Sequence, residues 1–189
     1  MRKRHNAFTI IELLIVMAII IILAGLVIGT SGYVQKKGAR SRAEAEIAAF
    51  SAGLESYKAD NGIYPRDANS SDQLDARTAT DPLSYAAASL WLYQSLSGDS
   101  DGDGGTPENK SYIQLKPNQI SRNNMSQPAS ASNKVTGVRD PFGNFYGYST
   151  AYAAALETNP SAAPTRGYNP TFDLWSTANG GQNEWIKNW

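Results

Sequence analysis

The sequence predicts an α+β fold in which one long N-terminal helix, with its first half crossing a membrane, packs on a small antiparallel sheet. Three observations predict this arrangement. An apolar run fills residues 8–29, an amphipathic helical pattern follows over residues 43–58, and short alternating segments flanked by turns come late in the chain. The 189 residues therefore divide into a membrane-length segment and a head of ordinary domain size.

The composition excludes several classes of function. Lys and Arg together number 17, as do Asp and Glu, so the chain lacks the basic excess that is typical of nucleic-acid binding. It has no cysteine, which excludes disulfides and thiolate metal sites, and its one histidine is His5. Beyond this N-terminal stretch the chain lacks the most common general base and the usual transition-metal ligands. We therefore expect neither an enzyme nor a nucleic-acid-binding protein.

The apolar run over residues 8–29 is long enough to cross a bilayer, which takes about 20 helical residues. A secretory signal peptide is shorter and ends at an Ala-x-Ala site, which does not follow here. Basic residues flank the run on both sides, so charge does not set its orientation. Hydropathy alone leaves a plain signal anchor open as the interpretation.

Glu12 is the one charged residue in this run. A carboxylate in an apolar span costs roughly 2.5–3.5 kcal/mol at mid-membrane, and such residues are usually paired or functional. Two interpretations stay open at this point. Glu12 either pairs with a nearby cation or lies at the interface, where the dipole at the start of the helix favours it.

A family resemblance is carried by the residues around the start of the run, Ala7-Phe8-Thr9-Ile10-Ile11-Glu12-Leu13-Leu14, after a basic leader. This string resembles the prepilin signal of type IV pilins and type II secretion pseudopilins. The resemblance implies that prepilin peptidase removes residues 1–7 by cutting between Ala7 and Phe8, although the family usually has glycine where Ala7 stands. It also implies that Phe8 is N-methylated and that Glu12 supports assembly by neutralising the Phe8 amine of a neighbouring subunit.

Residues 30–60 are predicted as the exposed half of the same helix. One apolar stripe lies along it, at Ala43, Ile47, Phe50, Leu54 and Tyr57. Gly25 and Gly29, four residues apart, allow close helix packing in lipid, although an ordinary span tolerates glycine as well. The helix is predicted to end at Asp60-Asn61-Gly62, because Asn and Gly accept left-handed backbone angles.

The head, residues 61–189, carries further resemblance to the major pseudopilin of type II secretion. The matching segments occur in family order, at residues 57–65, 140–146, 172–176 and 186–189. Residues 67–137 depart from the family pattern and are interpreted as an insertion, with a short helix over 83–96 and an exposed loop over 117–137. Strands are predicted at residues 112–116, 144–149 and 171–176, with Asp140-Pro-Phe-Gly143 as a turn.

An acidic loop in the insertion is a candidate calcium site. Asp99, Asp101 and Asp103 alternate and are followed by Gly104, as in the first half of an EF-hand loop. The twelfth position is Lys110 where a glutamate is expected, and Glu108 is the nearest replacement. A solvated acidic turn is the alternative interpretation.

The resemblance also implies a calcium site in the C-terminal loop. There Asn179 stands where the family has an aspartate, and Glu184 is the nearest carboxylate. This loop is either held by Asn179, Glu184 and backbone carbonyls or binds no metal. Calcium is thus the one cofactor that the sequence suggests, at either loop.

The leading functional hypothesis is a structural subunit of a pseudopilus or type IV pilus-like filament that supports protein secretion. The implied partners are further copies, other pseudopilins, the prepilin peptidase and methyltransferase, and the inner-membrane assembly platform. The implied location is the bacterial inner membrane, with one span and the head in the periplasm, and then the filament. The alternative is a membrane-anchored, adhesin-like binding module; pseudopilin or pilin, and major or minor subunit, stay open.

Overall fold

The computed structural model describes residues 9–160 and 165–189. Helix α1 runs over Ile10–Asn61, α2 over Ala86–Ser97 and α3 over Ala151–Thr158. The strands are β1 Ile120–Arg122, β2 Val135–Val138, β3 Gly147–Ser149, β4 Asp173–Ser176 and β5 Ile186–Lys187. Short 3-10 helices occupy Pro82–Tyr85, Pro117–Gln119 and Gln182–Glu184. A long N-terminal helix with small antiparallel sheets is the predicted α+β, pilin-like fold.

The chain forms two compact units, Met1–Gly38 and Ala39–Trp189. In the first unit, the large apolar side chains described in α1 are all exposed, from 49% at Val16 to 88% at Ile10. Among the residues that the structure describes, α1 is the one helix long and apolar enough to cross a membrane. An apolar surface of this extent needs lipid or other helices around it.

In the second unit, the predicted stripe of α1 is buried. Ala43, Ile47, Phe50 and Leu54 are at most 6% exposed, which confirms the period read from the sequence, and Tyr57 at its end is half-buried. The stripe packs with α2 and with the residues leading into β3. The Phe50 ring meets the Tyr146 ring edge-on, with centroids 5.2 Å apart.

Helix α1 ends where predicted. Gly62 has φ +80, a left-handed angle, and its N–H donates to the carbonyl of Lys58 at 2.8 Å. The Asn61 side chain donates to the Tyr57 carbonyl at 2.9 Å, so another carbonyl of the last turn has a partner. Asn and Gly therefore both contribute to ending the helix.

The three-stranded sheet has the order β3-β4-β5, with all pairs antiparallel. Gly147 lies opposite Trp175, and Trp175 lies opposite Lys187. The strands predicted at 144–149 and 171–176 are present but shorter, and the sequence did not predict β5 or α3. The predicted helix over 83–96 is present as the 3-10 turn followed by α2.

Two of the sequence predictions for the insertion are wrong. Residues 112–116 are not a strand, because the N–H groups of Tyr112 and Ile113 both donate to the Leu96 carbonyl at the end of α2, at 2.8 and 3.1 Å. Residues 117–137 are not only a loop, since they hold β1 and most of β2. Ile120 and Val135 in these strands are buried in the core, and their burial favours the pairing despite the polar composition around them.

Candidate functional site

The N-terminal candidate site lies in the first turn of α1. The N–H and hydroxyl of Thr9 donate to Oε2 of Glu12 at 2.8 and 2.7 Å, and the Glu12 N–H donates back to Oγ1 of Thr9 at 3.3 Å. This reciprocal arrangement is a capping box, and it places a carboxylate at the positive end of the helix dipole. In the single chain, the Glu12 carboxylate is thus held by its own helix terminus.

The surroundings of Glu12 are apolar and open. The neighbouring Ile11 and Leu13 are 63% and 61% exposed, so another molecule has access to the carboxylate. The predicted cleavage and methylation residues, Ala7 and Phe8, lie outside the described residues. Apart from the backbone of α1 itself, no atom of the described residues lies within 4 Å of a methyl group placed on Gly25 or Gly29, so this small-residue face is also open to a neighbouring helix.

The acidic loop brings three of its four predicted ligands together. One carboxylate oxygen from each of Asp99, Asp101 and Glu108 lies within 4.8 Å of the others. Asp103 is not in this group, and its Oδ1 accepts the Gly105 N–H at 2.7 Å. Lys110, at the twelfth position, forms an ion pair with Asp60 of α1. The loop therefore gathers carboxylates without completing an EF-hand ligand set.

Asp99 is the buried member of the group, 3% exposed. Its Oδ1 accepts the Gly102 N–H at 2.7 Å, and its Oδ2 accepts the Gly104 N–H at 2.8 Å and the Tyr93 hydroxyl at 2.6 Å. Burial raises the pKa of Asp99, but these hydrogen bonds outweigh it, and the pKa is lowered from its usual value. Asp99 is therefore ionised at neutral pH and already organises the loop.

Calcium binding by this loop stays a prediction. Calorimetric titration of the full chain in detergent with CaCl2 is expected to give a dissociation constant of about 10⁻⁴–10⁻³ M, as for weak extracellular sites. The combined variant Asp101→Asn, Glu108→Gln should lose the signal, because it removes the two exposed carboxylates of the group. The control Asp81→Asn, in an acidic helix cap elsewhere, should keep it. Equal heats from the wild type and the combined variant would contradict the prediction.

The C-terminal loop follows β4 and passes close to the Asp140 turn. The Asn144 amide donates to Oδ1 of Asn179 at 2.6 Å and to Oγ1 of Thr177 at 3.2 Å. The carbonyl of Glu184, the other predicted residue of this loop, accepts from Nη1 of Arg40 at 2.7 Å. Asn179 and the preceding Ala178 both have left-handed angles, φ 56 and φ 50.

The turn at Asp140 is hydrogen-bonded both to the strand before this loop and to the loop itself. Asp140 is 4% exposed, and its Oδ1 accepts the N–H groups of Phe142 and Asn144 at 2.9 and 2.8 Å. Its Oδ2 accepts the hydroxyl of Ser176, the last residue of β4, at 2.5 Å. Burial raises the pKa of the Asp140 carboxyl, and the hydrogen bonds from Ser176 and the turn counteract it. The predicted turn is therefore also a link to the strand before the loop.

Sequence reasoning missed three residues of these sites, Thr9, Arg40 and Asn144. Thr9 had a usable signal, since a Thr three residues before a Glu at a helix start is the capping-box pattern. Arg40 and Asn144 had no such local signal. Their partners in the C-terminal loop, Glu184 and Asn179, lie 144 and 35 residues further along the chain.

Comparisons with known proteins identify relatives of this chain. Residues 2–28 match the family model of the prokaryotic N-terminal methylation motif. The chain is 33% identical over 86 residues to the type II secretion system core protein G of Aeromonas hydrophila, covering 44% of this chain and 60% of that protein. It is 34% identical over 65 residues to the protein of the same name from Dickeya chrysanthemi, covering 34% of this chain and 42% of that protein. The chain thus spans less than two thirds of either relative, and no solved structure gives a significant match.

Proposed function

We propose that this chain belongs to the pseudopilin family and is a structural subunit of a type II secretion pseudopilus or a related type IV pilus-like filament, which its methylation motif and its similarity to secretion-system proteins support. The observation that carries the proposal is the methylation motif over residues 2–28, which runs into an exposed apolar helix with a single carboxylate, Glu12. The role is structural rather than enzymatic.

Processing comes first in the proposed sequence of events. Prepilin peptidase cuts between Ala7 and Phe8 on the cytoplasmic side, and the new amine of Phe8 is methylated. The basic leader stays in the cytoplasm, so the single span in the inner membrane directs the head into the periplasm. Because the leader holds three of the 17 basic residues, the mature chain is mildly acidic.

During assembly, the contacts of α1 with lipid are then replaced by contacts with other helices. The apolar surface between Ile10 and Val34 is exposed in the single chain, and packing against other helices covers it. Glu12 leaves its capping interaction with Thr9 and pairs with the Phe8 amine of a neighbouring subunit, since an unpaired charge in an apolar bundle is costly. The partners are copies of this chain, other pseudopilins and the inner-membrane assembly platform.

The proposal is tested by producing the chain together with its own secretion components and shearing the cells. We expect the chain in the sheared filament fraction, and a variant with the cleavage site blocked, Ala7→Arg, only in the membrane fraction. If the processed wild type is found only as membrane-bound monomers, the filament role is wrong, and a membrane-anchored, adhesin-like binding module becomes the better hypothesis.

A further inference from the structure

The C-terminal loop, residues 177–185, is the part of the head where the family resemblance implies a calcium ion. A calcium site takes six to eight oxygen ligands, with carboxylates among them. Two side-chain oxygens of the loop near Asn179 accept hydrogen bonds from an N–H donor instead. Oδ1 of Asn179 and Oγ1 of Thr177 both accept from the same Asn144 amide, at 2.6 and 3.2 Å.

Two carboxylates lie near the loop, those of Asp140 and Glu184. Asp140 is buried, and its two oxygens already accept from Ser176, Phe142 and Asn144. Glu184 is exposed, its Oε2 lies beside Gly180 of the loop, and its backbone carbonyl accepts from the Arg40 guanidinium at 2.7 Å. One carboxylate at the loop, with the Asn179 and Thr177 oxygens turned to the Asn144 amide, falls short of the six to eight oxygen ligands of a calcium site.

We propose that the Asn144 amide takes the structural place of a metal ion and pins the C-terminal loop to the Asp140 turn, so that the head keeps this loop ordered without calcium. Asn144 is suited to this role because its backbone is held in the Asp140 turn, with its N–H donating to Oδ1 of Asp140 at 2.8 Å and its carbonyl accepting the Asp140 N–H at 2.8 Å. The guanidinium of Arg40, on α1, secures the other end of the loop through the Glu184 carbonyl.

Two consecutive residues of the loop have left-handed backbone angles that the surrounding contacts must maintain. Ala178 and Asn179 are consecutive residues at φ 50 and φ 56, left-handed angles that are costly for alanine and that asparagine adopts more readily. Ala178 is 1% exposed, so burial of its side chain fixes one of the two angles. Asn179 is exposed; the Gly180 N–H donates to the Thr177 carbonyl at 2.9 Å across the turn, and the Asn179 side chain is held by its contact with Asn144. Loss of that contact should release the loop while the core below it stays folded.

Hydrogen–deuterium exchange on the full chain in detergent, read in peptides covering residues 177–185, tests the proposal. The wild type should exchange at the same rate in 1 mM CaCl2 and in 1 mM EGTA. Asn144→Ala removes the two hydrogen bonds that the amide donates, and each contributes about 1 kcal/mol. Because 1.4 kcal/mol corresponds to a factor of ten, this segment should exchange roughly tenfold faster or more. The control Asn118→Ala, an exposed asparagine of the Pro117–Gln119 turn, should exchange like the wild type.

A second variant covers the case in which Asn144→Ala fails to fold. Asn179→Gly removes the acceptor and accepts the left-handed angle, and it should also speed exchange of the segment. The proposal is overturned if EGTA speeds exchange of the wild-type loop, or if both variants exchange like the wild type. Calcium at the acidic loop does not interfere, because the measurement is local. The result is independent of the filament experiments, since the subunit is unassembled.

Discussion

Replacing Glu12 with leucine is expected to leave the subunit in the membrane and to remove it from filaments. The variant lacks the one charge of the apolar run, so insertion is unaffected or more favourable. In the proposed filament, however, the Phe8 amine of a neighbour would lose the partner proposed for it, and breaking a buried charge pair costs about 3–5 kcal/mol. This corresponds to about a hundredfold or more in each subunit association. The measurement is the share of the chain in sheared filaments against the membrane fraction.

The matched control for Glu12 is Glu44→Leu on the same helix. Glu44 pairs with Arg40 at 3.7 Å, with its side chain 57% exposed, and such surface pairs contribute at most about 1 kcal/mol. This variant should be found in filaments at the wild-type level. Normal assembly of Glu12→Leu would contradict the proposed role, and an equal defect in Glu44→Leu would show that the effect is not specific to Glu12.

Replacing Gly147 with alanine is expected to destabilise the head by about 3 kcal/mol or more, at or above the upper end for overpacked cores. A methyl group at Gly147 would lie within 2.6 Å of three ring atoms of Trp175, its partner across the β3-β4 pair. The Trp175 ring is fully buried, stacked on Trp185 at 5.8 Å and met edge-on by Tyr85 at 5.2 Å, so it has no room to move. Urea unfolding of the full chain in mild detergent, followed by tryptophan fluorescence, measures the loss.

Gly181→Ala serves as the control for this substitution. Among the residues that the structure describes, and apart from its two chain neighbours, Gly181 has no atom within 4 Å of a methyl group placed on it, and its φ of −65 suits alanine. We expect a change within about 0.5 kcal/mol, as for ordinary surface substitutions. A Gly147→Ala protein as stable as the wild type would show that Trp175 does not pack against β3 in solution.

The sequence was sufficient to predict the secondary-structure elements that have a strong apolar periodicity. Helix α1 has an apolar stripe at steps of three and four and a glycine at its end, and both signals are local. The short strands β1 and β2 lacked such a signal, because three or four residues with one or two buried side chains do not stand out in a segment rich in Asn, Ser and Gln. Helix α3 was missed for a related reason, since Ala151 is its one residue classed as buried.

The candidate sites also differ in whether a local sequence signal predicts them. Asp99, Asp101 and Glu108 meet as their spacing suggested, but Asp103, which lies between them in the chain, does not, and its Oδ1 accepts the Gly105 N–H instead. The contact of Asn144 with Asn179 depends on antiparallel pairing of β3 and β4, which brings distant segments together only once the fold has formed. That Asn179 stands where the resembled family has an aspartate is visible in the sequence, but its contact with the Asn144 amide is not.

Mass spectrometry of the intact mature protein tests the central claim most directly. The account predicts a chain that begins at Phe8 and carries one methyl group, because cleavage after Ala7 creates the amine that Glu12 is proposed to neutralise. A chain purified from its own host that still begins at Met1 would contradict processing, and with it the filament role proposed here.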